Sequence, residues 1–374
     1  MYVLLKISEI NNINNFFQLK NVWNNLLNKC EDRNPFLTWE YLFTYWKHFR
    51  SDRKLKILCI ENENSNIIGI APFRLSRYNF ADMLTYNVLE PLGYRGADYT
   101  GLIIPEMQGK YIDLILNYLD KQEDWDFIYL LDVPETSILS HTIMKKDNDT
   151  FKLEVVKGAL CPYISLPSSM DIFLSKLSPS FRKNLKKRLR KLEKDFRKIE
   201  LKSYKDFSTV NEAMNIFFNL HQKRWTLKGM PGVFYSEDVR NFYVEVAKIF
   251  AENEWLALYF LTVDDRPIAA RFGFEYNFKM YFLLPGIDPD YLQYSPGHIM
   301  HLKVIEKCIE KGITECDFLK GGEPYKFEWT SSYRRNLGFR LVNKNKKRSI
   351  LFDFAIKNFR KARLDKVLGK LLRF

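Results

Sequence analysis

The sequence has no apolar run approaching the roughly 20 residues needed to cross a bilayer. Its opening, MYVLLKISEI, lacks the basic leader, apolar stretch and small-residue cleavage site of a secretory signal, taken in that order. Cysteine is sparse. Cys30, Cys59, Cys161, Cys308 and Cys316 are odd in number, scattered and without C-x-x-C spacing. That argues against a disulfide framework or a zinc ribbon and fits reduced thiols. There is no H-E-x-x-H motif either. Together these absences lead us to expect a soluble chain working in the cytoplasm.

What is present is length and aromatic content. At 374 residues the chain is long enough for two domains of ordinary size. With 46% hydrophobic and 16% aromatic residues it can build a core in each. The net charge of +13 is concentrated in two places. RKNLKKRLRKLEKDFRK (182–198) holds ten Lys/Arg against two acids, and 344–374 holds eleven against two. The two segments carry +17, so the rest of the chain carries −4. Such patches attract phosphates, anionic lipid or nucleic acid, although a solvated helix face has the same look.

A pattern occurs twice. KLKILCIENENSNIIGIAPFRLS reads as strand, polar turn, strand, and so does WLALYFLTVDDRPIAARFGFE two hundred residues later. A further strand follows each hairpin, LTYNVLEPLG and KMYFLLPGID, then an amphipathic helix, roughly 109–122 and 296–311. DFIYLLDV and ECDFLK close the two copies. Strands separated by a helix must run parallel, so each copy is a mixed α/β sheet. Between the copies lies FLSKLSPSFRKNLKKRLRKLEKDFRKIE. Ser178 and Pro179 mark a helix start, and Phe181, Leu185, Leu189, Leu192, Phe196 and Ile199 form one apolar stripe. A second helix is expected at about 208–227. In the tail, Leu351, Phe354, Ala355, Phe359 and Ala362 share a face, whereas Leu364, Val367, Leu368, Leu371 and Leu372 share another. A break near Arg363 follows. The tail either packs on the body or lies on an anionic membrane surface.

The stretch YLQYSPGHIMH (291–301) stands where a strand pattern gives way to a helix pattern. His298 and His301 are three apart, as metal ligands on a helix can be, but no third ligand accompanies them and Glu306 is off their face. No metal is expected. With Ser295 as cap, Pro296 first and Gly297 second, the helix tip offers free N–H groups for an anion. The same residues also make an ordinary capped helix. In the first copy IIPEMQGK places Glu106 at the equivalent point, which disfavours a phosphate there. Farther on, CDFLKGGEPYKFEW crowds Gly321, Gly322, Glu323, Tyr325 and Lys326 after a strand, the densest candidate for an active site. A glycine turn with surface charges is the plainer alternative.

The order of elements in the second copy resembles the GNAT acyltransferase fold. More closely, the chain resembles the CelD-type acetyltransferases of exopolysaccharide (cellulose) biosynthesis, relatives of the FemABX peptidyltransferases. The resemblance rests on SPSFRKNLKKRLRKLEK, LHQKRW, RPIAARFGF, GIDPDYLQYSPGHIM and DFLKGGEPYKFEW, and on IIGIAPF, LEPLGYRGADYTGLI and WDFIYLLDVP in the first copy. It covers roughly residues 40–345, with the Gly-rich Q/R-x-x-G-x-G/A loop of ordinary GNAT enzymes replaced by Ser-Pro-Gly.

That resemblance implies a tandem GNAT-like fold: a first copy over 1–165 on the acceptor side, a second over 166–345 with the donor site, and a basic amphipathic tail, 346–374. The implied co-substrate is acetyl-CoA or another acyl-CoA, or an acyl-carrier protein. Tyr294, Ser295, Pro296, Gly297, His298, Gly321 and Gly322 are expected to hold it, with Arg182 and Arg188 on its phosphates. Lys326, matching the F/Y-K position of the FemABX-type motif, is expected to steady the oxyanion. Glu323 or Asp317, with His298 in reserve, would take the nucleophile's proton. Asp317 is equally read as a structural carboxylate. Arg224, Trp225, Tyr325, Asp98 and Tyr99 are expected on the acceptor, a small molecule or glycan precursor. The tail would give peripheral contact with the inner face of the membrane. Two other readings stay open: aminoacyl transfer from tRNA, and a non-catalytic protein binding RNA or an anionic membrane.

Overall fold

The computed structural model describes residues 5–80, 84–105, 109–145, 150–204, 207–227 and 229–361. The chain opens with β1 (Lys6–Ile10), α1 (Ile13–Gln18), α2 (Lys20–Lys29) and α3 (Trp39–Phe49). Next come β2 (Arg53–Glu61), β3 (Ile67–Phe80), β4 (Leu84–Pro91), α4 (Gly109–Asp120) and β5 (Phe127–Pro134). They are followed by α5 (Ile138–Met144), β6 (Phe151–Ser165), α6 (Met170–Lys176) and α7 (Pro179–Asp195). The middle of the chain forms β7 (Ile199–Ser203), α8 (Val210–Leu227), α9 (Glu237–Glu252), β8 (Leu256–Val263) and β9 (Arg266–Tyr276). The remainder forms β10 (Lys279–Ile287), α10 (Pro296–Glu310), β11 (Glu315–Asp317), α11 (Pro324–Phe327), β12 (Tyr333–Asn343) and α12 (Lys347–Lys361).

The chain divides into two compact units. The first holds residues 1–32, 50–158 and 336–374; the second holds 33–49 and 159–335. This corrects the contiguous boundaries at 165 and 345. Two segments change sides: α3 joins the second unit, and most of β12 with α12 joins the first. The cause is burial. Tyr41 on α3 packs its ring against Phe242, Phe250 and Phe274, and Asn336 on β12 donates to the Asp98 carbonyl at 2.9 Å.

In the first unit the strand order is β1-β2-β3-β4-β5-β12. β2, β3 and β4 are antiparallel neighbours, and β4 pairs parallel with β5 through Val88–Phe127 and Leu89–Ile128. In the second unit the order is β6-β11-β10-β9-β8-β7. β8, β9 and β10 are antiparallel, and β10 pairs parallel with β11. The expected repeat of hairpin, strand, helix and parallel strand is therefore present in both. Every residue of β8 is buried, as is the run Ile268–Phe274 of β9. Such strands read as unbroken apolar runs because helices cover both faces. Ile299, Met300, Val304 and Ile305 of α10 pack with Tyr259, Met280 and Phe282 on one side. On the other, Phe217 of α8 lies 5.6 Å from the Phe272 ring.

The basic helix begins as expected: Ser178 Oγ accepts from the Phe181 N–H at 3.3 Å, with Pro179 first. It ends sooner, at Asp195, so Phe196 is its C-cap and Ile199 belongs to β7. In α12 the anchoring residue is Phe352, buried with Val88, Phe127 and Val342. Leu351 and Phe354, expected on a shared apolar face, are exposed. Arg363 and the aliphatics after it lie outside the described residues, as does Glu106.

Candidate functional site

β10 and β11 part company early. Their parallel pairing covers only Lys279–Glu315, Met280–Cys316 and Tyr281–Asp317. β10 keeps its other neighbour, β9, as far as Ile287, with an irregularity between Phe282 and Leu284. From Phe282 onward β10 has no paired strand on its β11 side among the described residues. The Pro285 carbonyl there is met by His221 Nδ1 at 2.8 Å; an unpaired strand edge of this kind suits a ligand that carries amides.

At the head of this fork stands α10. Ser295 occupies the N-cap position but makes no side-chain cap bond, which corrects the expected capping role. Its backbone is left-handed (φ 52°, ψ 56°) because it also terminates the 3-10 turn Pro289–Tyr294, donating its N–H to the Leu292 carbonyl at 2.9 Å. Its own carbonyl then accepts the His298 N–H at 3.0 Å. Pro296 has no N–H to give, so the expected pair of free amides at 297 and 298 shrinks to that of Gly297. A Cβ on Gly297 would lie 3.2 Å from Ile287 Cδ1.

The loop after β11 is held from within. Lys326 is buried, and its Nζ lies 2.9 Å from the Lys320 carbonyl, 3.3 Å from the Leu319 carbonyl and 3.0 Å from Glu323 Oε2. Three N–H bonds meet three acceptors. These contacts occupy the ammonium expected to steady the oxyanion and one oxygen of the carboxylate expected as a base: as a pair they clamp the 319–323 loop. Gly321 has φ +124°, and the Glu323 carboxylate fills the space a Cβ would take. Gly322 meets nothing closer than Leu160 Cδ1 at 3.9 Å.

Asp317 is the structural carboxylate. Oδ1 accepts the Leu319 N–H at 2.8 Å, and Oδ2 lies 3.2 Å from Arg334 Nη1. Arg334 also pairs with Glu315 and rests 3.9 Å over the Tyr163 ring. Committed to these contacts, Asp317 is not placed as a general base.

Residues 179–327 match the family model described as an acetyltransferase (GNAT) domain. Among solved structures the chain is similar to FemX, at 10% identity, covering 86% of this chain and 96% of that one with a TM-score of 0.60. It is also similar to a tandem GNAT protein from the clavulanic acid biosynthesis pathway, at 9% identity, covering 92% and 100% with a TM-score of 0.50. A third is the C-terminal domain of a putative lysylphosphatidylglycerol synthetase from Agrobacterium fabrum, at 9% identity, covering 91% and 96% with a TM-score of 0.50. None of the curated proteins compared with the chain matches it. At these identities the structural likeness concerns the fold, which is mixed α/β and GNAT-like.

Within this GNAT-like unit the remaining candidates fall into two groups. Some are taken up by packing. The Tyr294 hydroxyl, expected at the donor site, donates to Asp195 at 2.9 Å and ties the 3-10 turn to α7. His298 Nε2 is 2.7 Å from Glu328 Oε2, and its ring stacks near Trp329, so its reserve role as base is also unsupported by its surroundings. Arg182 donates to the Leu174 carbonyl at 3.2 Å. Trp225 packs against Gly232 and lies 5.9 Å from the His221 ring. In the first unit, Tyr99 is buried and Asp98 offers its carbonyl to Asn336. The RGADY loop there is braced by buried Arg74, which pairs with Glu90 at 2.8 Å and donates to the Tyr94 carbonyl.

The other group gathers around His301. Tyr325 stacks on it (centroids 5.9 Å apart, planes at 18°), and Arg271 Nη2 reaches its Nε2 at 2.5 Å. His301 is buried, and burial with the nearby Arg271 charge pushes its imidazole well below its ordinary range. It is therefore a neutral acceptor. The loop after β11 thus meets the second turn of α10 rather than its tip. Arg271 went unassigned in the sequence, although an arginine inside the apolar run IAARFGF is a signal: a buried strand charge demands a partner.

Proposed function

We propose that the chain is an acyltransferase that moves an acyl group from acyl-CoA to an amine or hydroxyl of a sugar, glycan precursor or related small acceptor. The observation that carries this reading is the fork between β10 and β11, with Gly297 at its head. A donor arm rich in amides is complementary to the unpaired edge of β10, and its phosphates to the Gly297 N–H and the positive end of α10. The acceptor nitrogen or oxygen attacks the thioester carbonyl carbon. The new C–N or C–O bond forms, the C–S bond breaks, and the nucleophile's proton passes to the leaving thiolate or to solvent. With Lys326 engaged, the developing oxyanion falls to main-chain N–H groups on the open edge of β10.

Thermal melting tests the donor. Acetyl-CoA or CoA should stabilise the protein, since a ligand that binds only the native state raises its melting point. Gly297→Val, whose side chain would crowd Ile287 and cover the amide, should fold and lose the response. No shift with any CoA ester would overturn the reading. A shift with charged tRNA instead would favour aminoacyl transfer, for which Lys183, Lys186, Lys187 and Arg190 on α7 form an exposed cationic face. Contact with an anionic membrane belongs to the same proposal: Ile350, Leu351 and Phe354 are exposed beside Lys347 on α12.

A further inference from the structure

Arg271 sits in the middle of β9 and is 4% exposed. Its guanidinium crosses the α10 face of the sheet. Nη2 meets His301, the Tyr325 hydroxyl bonds it, and the Phe282 ring lies 5.4 Å away. Its Nε is buried without a hydrogen-bond partner. No carboxylate among the described residues forms an ion pair with it. A guanidinium stays charged at any physiological pH, so this is a buried cation without a counter-ion. His301 cannot supply one, being a neutral ring.

The neighbours make the deficit larger. Arg224, half-buried near the end of α8, also has no carboxylate partner among the described residues, and its field reaches Arg271, His301 and His221. α8 is held over this end of the sheet by His221, whose Nδ1 lies 2.8 Å from the Pro285 carbonyl of β10. Lys326 is paired with Glu323 at 3.0 Å, yet its field too reaches His301. Arg271 is therefore a buried cation in a positive field, with no carboxylate of its own among the described residues. Phe282, Phe318 and Tyr325 surround His301 there, a low-dielectric wall that strengthens attraction for an anion.

We propose that Arg271 forms an oxyanion site for a carboxylate or phosphate group of a ligand, with the Tyr325 hydroxyl as a neutral second contact and the Arg224 charge adding to the attraction. A planar guanidinium fork matches either oxyanion. The site follows from the unbalanced charge; its assignment to the acceptor rests on the acyltransferase reading above. His301 is one turn beyond Gly297, about 6 Å along α10. A donor arm on β10 with its phosphates at the helix tip leaves this site to the second substrate. The acceptor would then carry an acidic group close to its nucleophile.

The test is melting of the full chain at fixed ionic strength, with sodium chloride replaced stepwise by sodium phosphate or sodium acetate. The wild type should be stabilised, the folded-to-unfolded ratio rising about 100-fold when the anion stands at 100 times its dissociation constant. Arg271→Met should melt higher than the wild type in chloride, because it removes an unpaired buried charge, and should lose the specific response. Any general salting effect is common to both proteins, so the difference between them is what counts. Arg224→Gln should weaken the apparent affinity about tenfold. A stronger response to acetate than to phosphate identifies a carboxylate, and the reverse a phosphate. A wild type that does not distinguish these anions from chloride, or an Arg271→Met protein that keeps the response, overturns the site. So does an Arg271→Met protein that melts lower and is rescued by Arg271→Lys. If Arg271→Met does not fold, the wild-type and Arg224→Gln titrations still decide. Acetyl-CoA is run in parallel. A response to it alone removes this site and leaves the acyltransferase, whereas a response to the simple anions alone does the opposite.

Discussion

Replacing Lys326 by alanine separates a catalytic lysine from a structural one. The ammonium serves two main-chain carbonyls, of Leu319 and Lys320, and the Glu323 carboxylate. A hydrogen bond to a charged donor contributes about 1.5–3 kcal/mol net. The Glu323 pair is half-exposed and contributes about 0–1 kcal/mol. Removing the ammonium also removes the cost of desolvating it, which offsets part of the loss. The expected destabilisation is therefore about 2–4 kcal/mol. In urea, with a slope of about 1–3 kcal/mol per molar, the midpoint should fall by roughly 0.7–4 M. The Gly321 amide, which donates to the Leu160 carbonyl at 2.9 Å, should exchange faster with solvent deuterium. Glu323→Ala should cost less than about 1 kcal/mol, isolating the carbonyls as the main partners. If Lys326→Ala leaves the midpoint in place while abolishing turnover, the clamp is wrong and the oxyanion role returns.

Gly321→Ala should destabilise by about 1–3 kcal/mol, because φ +124° and the Glu323 carboxylate both oppose a side chain. Gly322→Ala next door should stay within about 0.5 kcal/mol, a contrast that urea midpoints would reveal. Acid stability should report His221. Burial pushes its imidazole down to about 4, below the ordinary 6.5, so the native state takes up its proton later than the unfolded chain. Its contribution is complete above pH 6.5 and is lost as pH falls toward 4, about 3 kcal/mol in all. His221→Leu should flatten the pH–stability curve across that window; an unchanged slope would refute the burial argument.

The sequence was sufficient for what local chemistry dictates. Alternation and turn residues marked β2–β3 and β8–β9, the 3.6-residue stripe marked α7 and α10, and a helix between strands required the parallel pairs β4–β5 and β10–β11. Ser178-Pro179 announced its helix because a cap is a contact between residues three apart. Ser295-Pro296 looked the same, yet the preceding turn set Ser295 left-handed and its hydroxyl makes no cap bond. Site residues were legible as a neighbourhood, not as roles. Whether Lys326 faces a substrate or its own loop depends on where two carbonyls seven and six residues back come to rest.

Tertiary structure alone decided three matters: which unit claims α3 and β12, where β10 leaves β11, and that Arg271 meets a histidine thirty residues away instead of a carboxylate. Residue order specifies periodicity and capping because those act over a few positions. Charge compensation acts through space, so the presence or lack of a counter-ion becomes visible only once distant strands and helices are packed together.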